Sequence, residues 1–111
     1  MKEIHWIALA VILVVAGFAI FITTRPSTPT TTEEVARCIG EKSTLYVQLG
    51  CSHCKTQEDM FGNNTKYLNK IDCFYERDKC SDIAGTPTWL IDGQKYEGVQ
   101  SIETLRTATG C

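Results

Sequence analysis

The cysteines Cys51 and Cys54 are the residues of this chain best suited to chemistry. They form a Cys-x-x-Cys motif that follows a β-rich apolar segment and Gly50, and that begins a segment of helical character. A helix that begins at Cys51 directs free backbone N–H groups and its positive dipole end at the Cys51 sulfur, which favours the thiolate. Because the thiolate is the nucleophile of disulfide exchange, this position predicts a reactive Cys51 and a less exposed, resolving Cys54. His53 between them would stabilise the thiolate further.

Two other uses of this motif remain open. The sulfurs of Cys51 and Cys54, together with those of Cys73 and Cys80, could bind zinc, although structural zinc sites usually repeat the short spacing in both halves. The pair could instead be a purely structural disulfide, but so small a ring constrains the unfolded chain little. Redox chemistry is therefore the preferred interpretation, and neither a metal nor another cofactor is expected.

Composition places the chain in an oxidising compartment and makes nucleic acid an unexpected partner. Six cysteines occur among the 111 residues, and all six follow an apolar amino-terminal segment. An even cysteine count behind such a segment is typical of proteins outside the cytoplasm. The net charge is only −2, and no basic patch alternates with aromatic residues.

Three regions are expected. Residues 1–22 form a membrane anchor, because Ile4–Ile22 carries no Asp, Glu, Lys or Arg and spans about the 20 residues that a hydrocarbon core requires. A cleaved signal peptide is the alternative, although its apolar region is usually shorter. Residues 23–32, TTRPSTPTTT, are expected to form an extended linker. Residues 33–111 form one domain, which the cysteines place on the extracytoplasmic side of a single-pass cell-membrane protein.

Hydrophobic periodicity and turn residues predict an α/β domain whose elements position the cysteine pair. Its sheet would be mixed, with a parallel pair followed by an antiparallel hairpin at Asp92-Gly93, and a layer of helices on each face. The predicted helical segments are Glu33–Ile39 (ended by Gly40), Cys51–Phe61, a turn at Thr65–Asn69, a charged loop or short helix at Arg77–Ala84, and Ile102–Thr109 between Ser101 and Gly110. The predicted strands are Ser43–Leu49, Ile71–Glu76, Thr88–Ile91 and Gln94–Glu97.

A proline opens the third predicted strand, in the sequence Gly85-Thr86-Pro87-Thr88-Trp89. Proline cannot donate a hydrogen bond to the sheet, so its position there is unusual. A cis Thr86–Pro87 peptide bond would explain it. From the residue pattern alone, an ordinary trans proline at a strand start is an equal alternative.

Three stretches together resemble a known family: CSHCKTQEDMFG, IDCFYERDKC and GTPTWLIDGQKYEGVQS. They are similar to the thioredoxin-like domain that accompanies prokaryotic homologues of vitamin K epoxide reductase, a branch of the thioredoxin superfamily. The resemblance covers about Val35 to Cys111. It implies a thioredoxin-like fold in which a cis Pro87 faces the cysteine pair, and in which the backbone around Thr86 and Pro87 binds substrate peptide.

The same resemblance implies a DsbA-like thiol–disulfide oxidoreductase that acts on protein thiols and disulfides. Its implied partner is a membrane oxidoreductase of the vitamin K epoxide reductase type, which reoxidises Cys51–Cys54 and passes electrons to a quinone. Two departures leave the direction of electron flow open, since Gly50 replaces an aromatic residue and Ser52 replaces proline. A disulfide reductase or isomerase, and a non-enzymatic zinc-binding or structural module, are the alternative functions.

The remaining cysteines are expected to form two structural disulfides. Cys73 and Cys80 flank one loop, as similar cysteines do in the resembled domains, so a local bridge is natural. That leaves Cys38 in the first helix of the domain and Cys111 after the last, which can lie side by side in a thioredoxin-like fold. Cys111 could instead pair between two chains.

Overall fold

The computed structural model describes residues 2–23 and 31–111. Helix α1, Lys2–Thr23, contains a 20-residue window with a mean hydropathy of 2.6, and that window is not buried against other described residues. By length and composition this helix can cross a membrane, and a signal sequence near an amino terminus has the same properties. Most of the predicted linker, residues 24–30, lies outside the described residues.

Two residues that the sequence assigns to the linker, Thr31 and Thr32, form hydrogen bonds with residues of the folded domain. The Thr31 hydroxyl donates to the Met60 carbonyl at 2.8 Å, and the Thr31 carbonyl accepts from the Asn64 side chain at 2.6 Å. The Thr32 hydroxyl accepts from the backbone N–H of Val35 and so caps the first helix of the domain. Both threonines, assigned to the linker on composition, are therefore held by the domain.

The elements follow the predicted order and form the expected mixed four-stranded sheet of a thioredoxin-like fold. Strand order is β2-β1-β3-β4, in which β1 and β2 are parallel while β1–β3 and β3–β4 are antiparallel. The helices are α2 Glu33–Lys42, α3 Ser52–Asp59 and α4 Ile102–Thr109, with 3₁₀ turns at Gly62–Tyr67 and Arg77–Cys80. The strands are β1 Ser43–Val47, β2 Lys70–Asp72, β3 Thr88–Ile91 and β4 Gln94–Glu97.

The helices do not cover both faces of the sheet, which corrects the prediction of a helical layer on each. One core cluster contains buried residues of α2, α3 and α4 together with alternate residues of β1 and β3. These strand residues share one face because side chains alternate along a strand. Residues of the opposite face, such as Tyr46 and Leu90, are only half-buried. The segment Cys73–Pro87, where a further helix was possible, forms turns and a short 3₁₀ helix instead.

Two strands are shorter than predicted because turns interrupt them. β1 ends at Val47, since the backbone N–H of Cys51 donates to the Gln48 carbonyl in a turn. β2 ends at Asp72, whose carboxylate accepts from the backbone N–H of Phe74 at 2.9 Å. Aspartate favours such turns because its side chain competes with the sheet for backbone donors. The residues that follow each strand are therefore exposed near the cysteine pair.

Helix α2 continues through Gly40 to Lys42, whereas the sequence predicts that Gly40 ends it. The glycine is buried, and a Cβ built on it would collide with the backbone carbonyl of Tyr67. Around it, the guanidinium of Arg37 lies 4.1 Å from the centre of the Tyr67 ring. Hydrogen bonds from Arg37 and Tyr67 lower the pKa of the Glu33 carboxyl. Gly40 thus serves close packing rather than helix termination.

Substitution of Gly40 by alanine is expected to destabilise the domain by about 1–3 kcal/mol, the usual cost of overpacking a tight contact. Chemical denaturation of the detergent-solubilised full chain, with disulfides intact, measures this free energy of unfolding. Gly85→Ala is the matched control, because a Cβ there meets no atom within 4 Å. Equal stabilities of the two variants would contradict the close contact.

The structural disulfides join the cysteines expected to pair. Cys38 in α2 is bonded to Cys111 after α4, with Cα atoms 5.9 Å apart and a sequence separation of 73. Cys73 is bonded to Cys80 across the turn that follows β2, with Cα atoms 5.7 Å apart. The first bond links the two ends of the domain and the second closes a local loop.

Candidate active site

Cys51 is the N-cap residue of α3, as its position in the sequence predicts. Its backbone is extended, with φ −80° and ψ 110°, and its sulfur accepts a hydrogen bond from the backbone N–H of Cys54 at 3.1 Å. Gly50 before it has φ 82°, in the left-handed region that glycine adopts without strain. Gly50, which replaces the aromatic residue of the resembled family, therefore forms the turn that places Cys51 at the start of α3.

The two cysteines of the motif are bonded to each other and differ in exposure. Cys51 is half-buried, whereas Cys54 is only 3% exposed and belongs to the core cluster. After reduction, a thiolate on Cys51 would keep the N–H of Cys54 as a donor and would face the positive end of α3. This asymmetry suits an exposed, reactive first cysteine and a shielded second cysteine.

His53 lies on the exposed side of α3. Its side chain forms no hydrogen bond or ion pair with another residue in the described ranges. Its influence on Cys51 would therefore act through space in solvent, where screening weakens it. The role of His53 in stabilising the thiolate stays a prediction.

The Thr86–Pro87 segment lies directly beside the cysteine pair. The peptide bond between these residues is cis, as the resemblance implies, and the Thr86 carbonyl oxygen is 3.6 Å from the Cys51 sulfur. The Pro87 carbonyl accepts from the backbone N–H of Gly98 at 2.8 Å, which fixes this segment to the residues after β4. The structure thus brings together Cys51, Cys54, Thr86 and Pro87.

A groove of about 800 Å³ borders the pair, lined among others by Cys51, Cys54, Leu49 and Tyr75. Leu49 is 58% exposed and Tyr75 is 70% exposed, and the Phe74 ring lies 5.0 Å from the Tyr75 ring. These three are the exposed large hydrophobic residues of the described domain, residues 31–111. Their exposure was not predicted, because the predicted strands Ser43–Leu49 and Ile71–Glu76 include all three. Only knowledge of where the strands end would have revealed them.

Gln57 is a second residue that the sequence analysis missed. It lies on α3 after Cys54 and is completely buried. Its side chain bonds to Trp89 on β3 and to the backbone of Gln100. A glutamine among polar neighbours carries no sequence signal for this role, since its partners are more than 30 residues away.

The cysteines proposed as zinc ligands are paired with each other rather than gathered around one point. Cys51 is bonded to Cys54, and Cys73 to Cys80. Within residues 2–23 and 31–111, no group of three or more histidine, cysteine or acidic side chains is arranged to hold a metal ion. The geometry around Cys51 is that of a disulfide at a helix start, next to a cis-proline segment.

No family model matches the chain. Among curated proteins, the thiol-disulfide oxidoreductase LTO1 of Arabidopsis thaliana is 36% identical over 83 residues, an alignment that covers 65% of this chain. The chain spans about a fifth of that relative, since the alignment covers 22% of its length. This similarity to part of a thiol-disulfide oxidoreductase, together with the thioredoxin-like fold and the site geometry, supports a redox role for the chain.

Proposed function

We propose that this protein is a membrane-anchored thiol–disulfide oxidoreductase that introduces disulfides into proteins outside the cytoplasm. The observation that carries the proposal is the position of Cys51, whose sulfur accepts the Cys54 N–H at a helix start and lies beside cis Pro87. A helix start stabilises a thiolate, so it stabilises the reduced pair relative to the disulfide. A disulfide whose reduced form is stabilised is a strong oxidant.

The reaction is an exchange of one disulfide bond. A substrate thiolate attacks the Cys51 sulfur, forming a mixed disulfide and releasing Cys54 as a thiol or thiolate. A second substrate thiolate then attacks the substrate sulfur of that mixed disulfide and releases Cys51. The substrate loses two electrons and two protons and gains one disulfide, while the Cys51–Cys54 pair is reduced to two thiols.

Two features support a protein or peptide as the substrate. The segment Thr86–Pro87 lies next to the reacting sulfur, where the resemblance places the substrate backbone. The groove on the other side of the pair carries exposed Leu49 and Tyr75, which suit apolar side chains next to a substrate cysteine. The groove is exposed at Leu49 and Tyr75 and Thr86 is half-buried, so an extended peptide can reach Cys51, although the Pro87 side chain itself is buried.

The proposed setting is the cell membrane, with the domain on the extracytoplasmic side. Helix α1 is long enough to act as the anchor, and the disulfides suit an oxidising compartment. The proposed partner is a membrane oxidoreductase of the vitamin K epoxide reductase type, which would reoxidise the pair and transfer the two electrons to a quinone. This partner rests on the family resemblance of residues 35–111.

The midpoint potential of the Cys51–Cys54 couple tests the direction of electron flow. We expect a potential well above the value of about −270 mV for thioredoxin and nearer the value of about −120 mV for DsbA. Equilibration of the full chain in glutathione buffers, followed by alkylation and mass spectrometry, measures it. His53→Ala should lower the potential and raise the pKa of Cys51 if His53 stabilises the thiolate. A wild-type potential at or below that of thioredoxin would favour the reductase alternative.

A further inference from the structure

The side-chain amide of Gln57 joins three parts of the domain. Its oxygen accepts from the indole N–H of Trp89 at 3.0 Å and from the backbone N–H of Gln100 at 2.7 Å. Its nitrogen donates to the Gln100 carbonyl at 3.0 Å and lies 3.5 Å from the Met60 sulfur. Gln57 is 0% exposed, so these bonds form where water does not compete. One amide thereby connects α3, β3 and the segment between β4 and α4.

These connections lie directly behind the reactive pair. Gln57 is one helical turn beyond Cys54, so both side chains point into the core from the same face of α3. Trp89 is the second residue of β3 and lies two residues after Pro87, which directly precedes that strand. Movement of the Gln57 amide would therefore shift α3 relative to the start of β3.

The segment that receives Gln57 also holds the proline. Gly98, two residues before Gln100, donates its backbone N–H to the Pro87 carbonyl at 2.8 Å. Two hydrogen bonds and the backbone between Gly98 and Gln100 thus connect Gln57 to Pro87. This connection ends at the site, where the Thr86 carbonyl lies 3.6 Å from the Cys51 sulfur.

We infer that Gln57 is a positioning residue that sets the placement of the Cys51–Cys54 helix against the Thr86–Pro87 segment before β3. The inference rests on the proposed function. Gln57 does not touch either sulfur, so it acts through the two elements that it joins. The role requires an amide, because the same side chain must accept from two N–H groups and donate to a carbonyl.

The test compares two reductants of the Cys51–Cys54 disulfide in the full chain. In the proposed reaction a reduced, unfolded protein substrate lies along the Thr86–Pro87 segment, whereas dithiothreitol is small enough to react without contacting that segment. In Gln57→Met, which keeps the bulk but removes the hydrogen bonds, we expect the rate constant with the protein substrate to fall about 10- to 100-fold. The rate constant with dithiothreitol should change less than about threefold, because dithiothreitol does not use that segment.

Controls separate positioning from general loss of stability. Ser43 lies at the start of β1, the end of that strand farther along the chain from Cys51, and its buried hydroxyl donates to the Ile39 carbonyl. Ser43→Ala removes this hydrogen bond and should leave both rate constants unchanged. Trp89→Phe removes the indole N–H that donates to Gln57. It should lower the rate constant with the protein substrate relative to the rate constant with dithiothreitol, which preserves the test if Gln57→Met does not fold.

Equal rates for Gln57→Met and wild type with the protein substrate, or equal losses with both reductants, would overturn the inference. Those results differ from failure of the proposed function. If the function itself is wrong, the wild-type chain will oxidise the protein substrate no faster than a small-molecule disulfide of the same redox potential does.

Discussion

Replacement of Cys54 by alanine should leave the protein covalently bound to its partners through Cys51. Cys51 is the more exposed cysteine and its sulfur lies at the start of α3, so it can attack a disulfide or be attacked. Without Cys54, no buried thiol remains beside it to resolve the mixed disulfide. Replacement of Cys51 by alanine should give no such adducts, because Cys54 is only 3% exposed. Thiol-oxidase activity should fall to the uncatalysed rate in both variants.

Electrophoresis without reductant, after alkylation of cells that express each variant, measures these adducts. A variant in which both Cys73 and Cys80 are replaced by serine is the control, since it alters a disulfide outside the pair and should accumulate no adducts. Full oxidase activity in both Cys51→Ala and Cys54→Ala would show that the pair is not the reacting centre.

Replacement of both Cys38 and Cys111 by serine should cause the largest loss of stability among the disulfide variants. Their bond closes a loop of 73 positions, and the chain-entropy model assigns such a loop about 4.4 kcal/mol. That is a large part of the roughly 5–15 kcal/mol by which a small domain is stable. The corresponding value for the loop between Cys73 and Cys80 is about 2.4 kcal/mol.

Denaturant unfolding of the two double-serine variants measures this difference directly. Replacement of both partners in each pair avoids a free thiol that would exchange with other cysteines. An equal loss in the two variants would argue against stabilisation by closure of the long loop. A dimer band that disappears on reduction of the wild type would show instead that Cys111 pairs between chains.

The features predicted well from sequence are those set by neighbouring residues. The strand pair Thr88–Ile91 and Gln94–Glu97 has its predicted bounds, because Asp92-Gly93 specifies the turn between them. The closing helix also has its predicted bounds, since Ser101 caps its start and Gly110 adopts φ 77° at its end. Cys51 begins its helix for a similarly local reason, as a strand and a glycine precede it.

The features that sequence did not reveal depend on distant contacts. Gly40 resembles a helix terminator, and only its contact with Tyr67 explains why the helix continues. The position of Gln57 between β3 and Gln100 follows from packing rather than from any pattern around it. The open face of the sheet was not predicted, because the composition of Cys73–Pro87 fits either a helix or a series of turns. The chain there forms turns and a short 3₁₀ helix.

The disulfide between Cys38 and Cys111 affects how the protein withstands proteolysis. Cys51, Cys54, the Thr86–Pro87 segment and the four described strands lie between these two residues in the chain. A single backbone cut in any surface loop between them would leave two fragments that remain covalently joined through this disulfide. A cleaved molecule would thus keep the Cys51–Cys54 pair attached to the amino-terminal segment, and release of a fragment would require either a second cut or reduction of that bond.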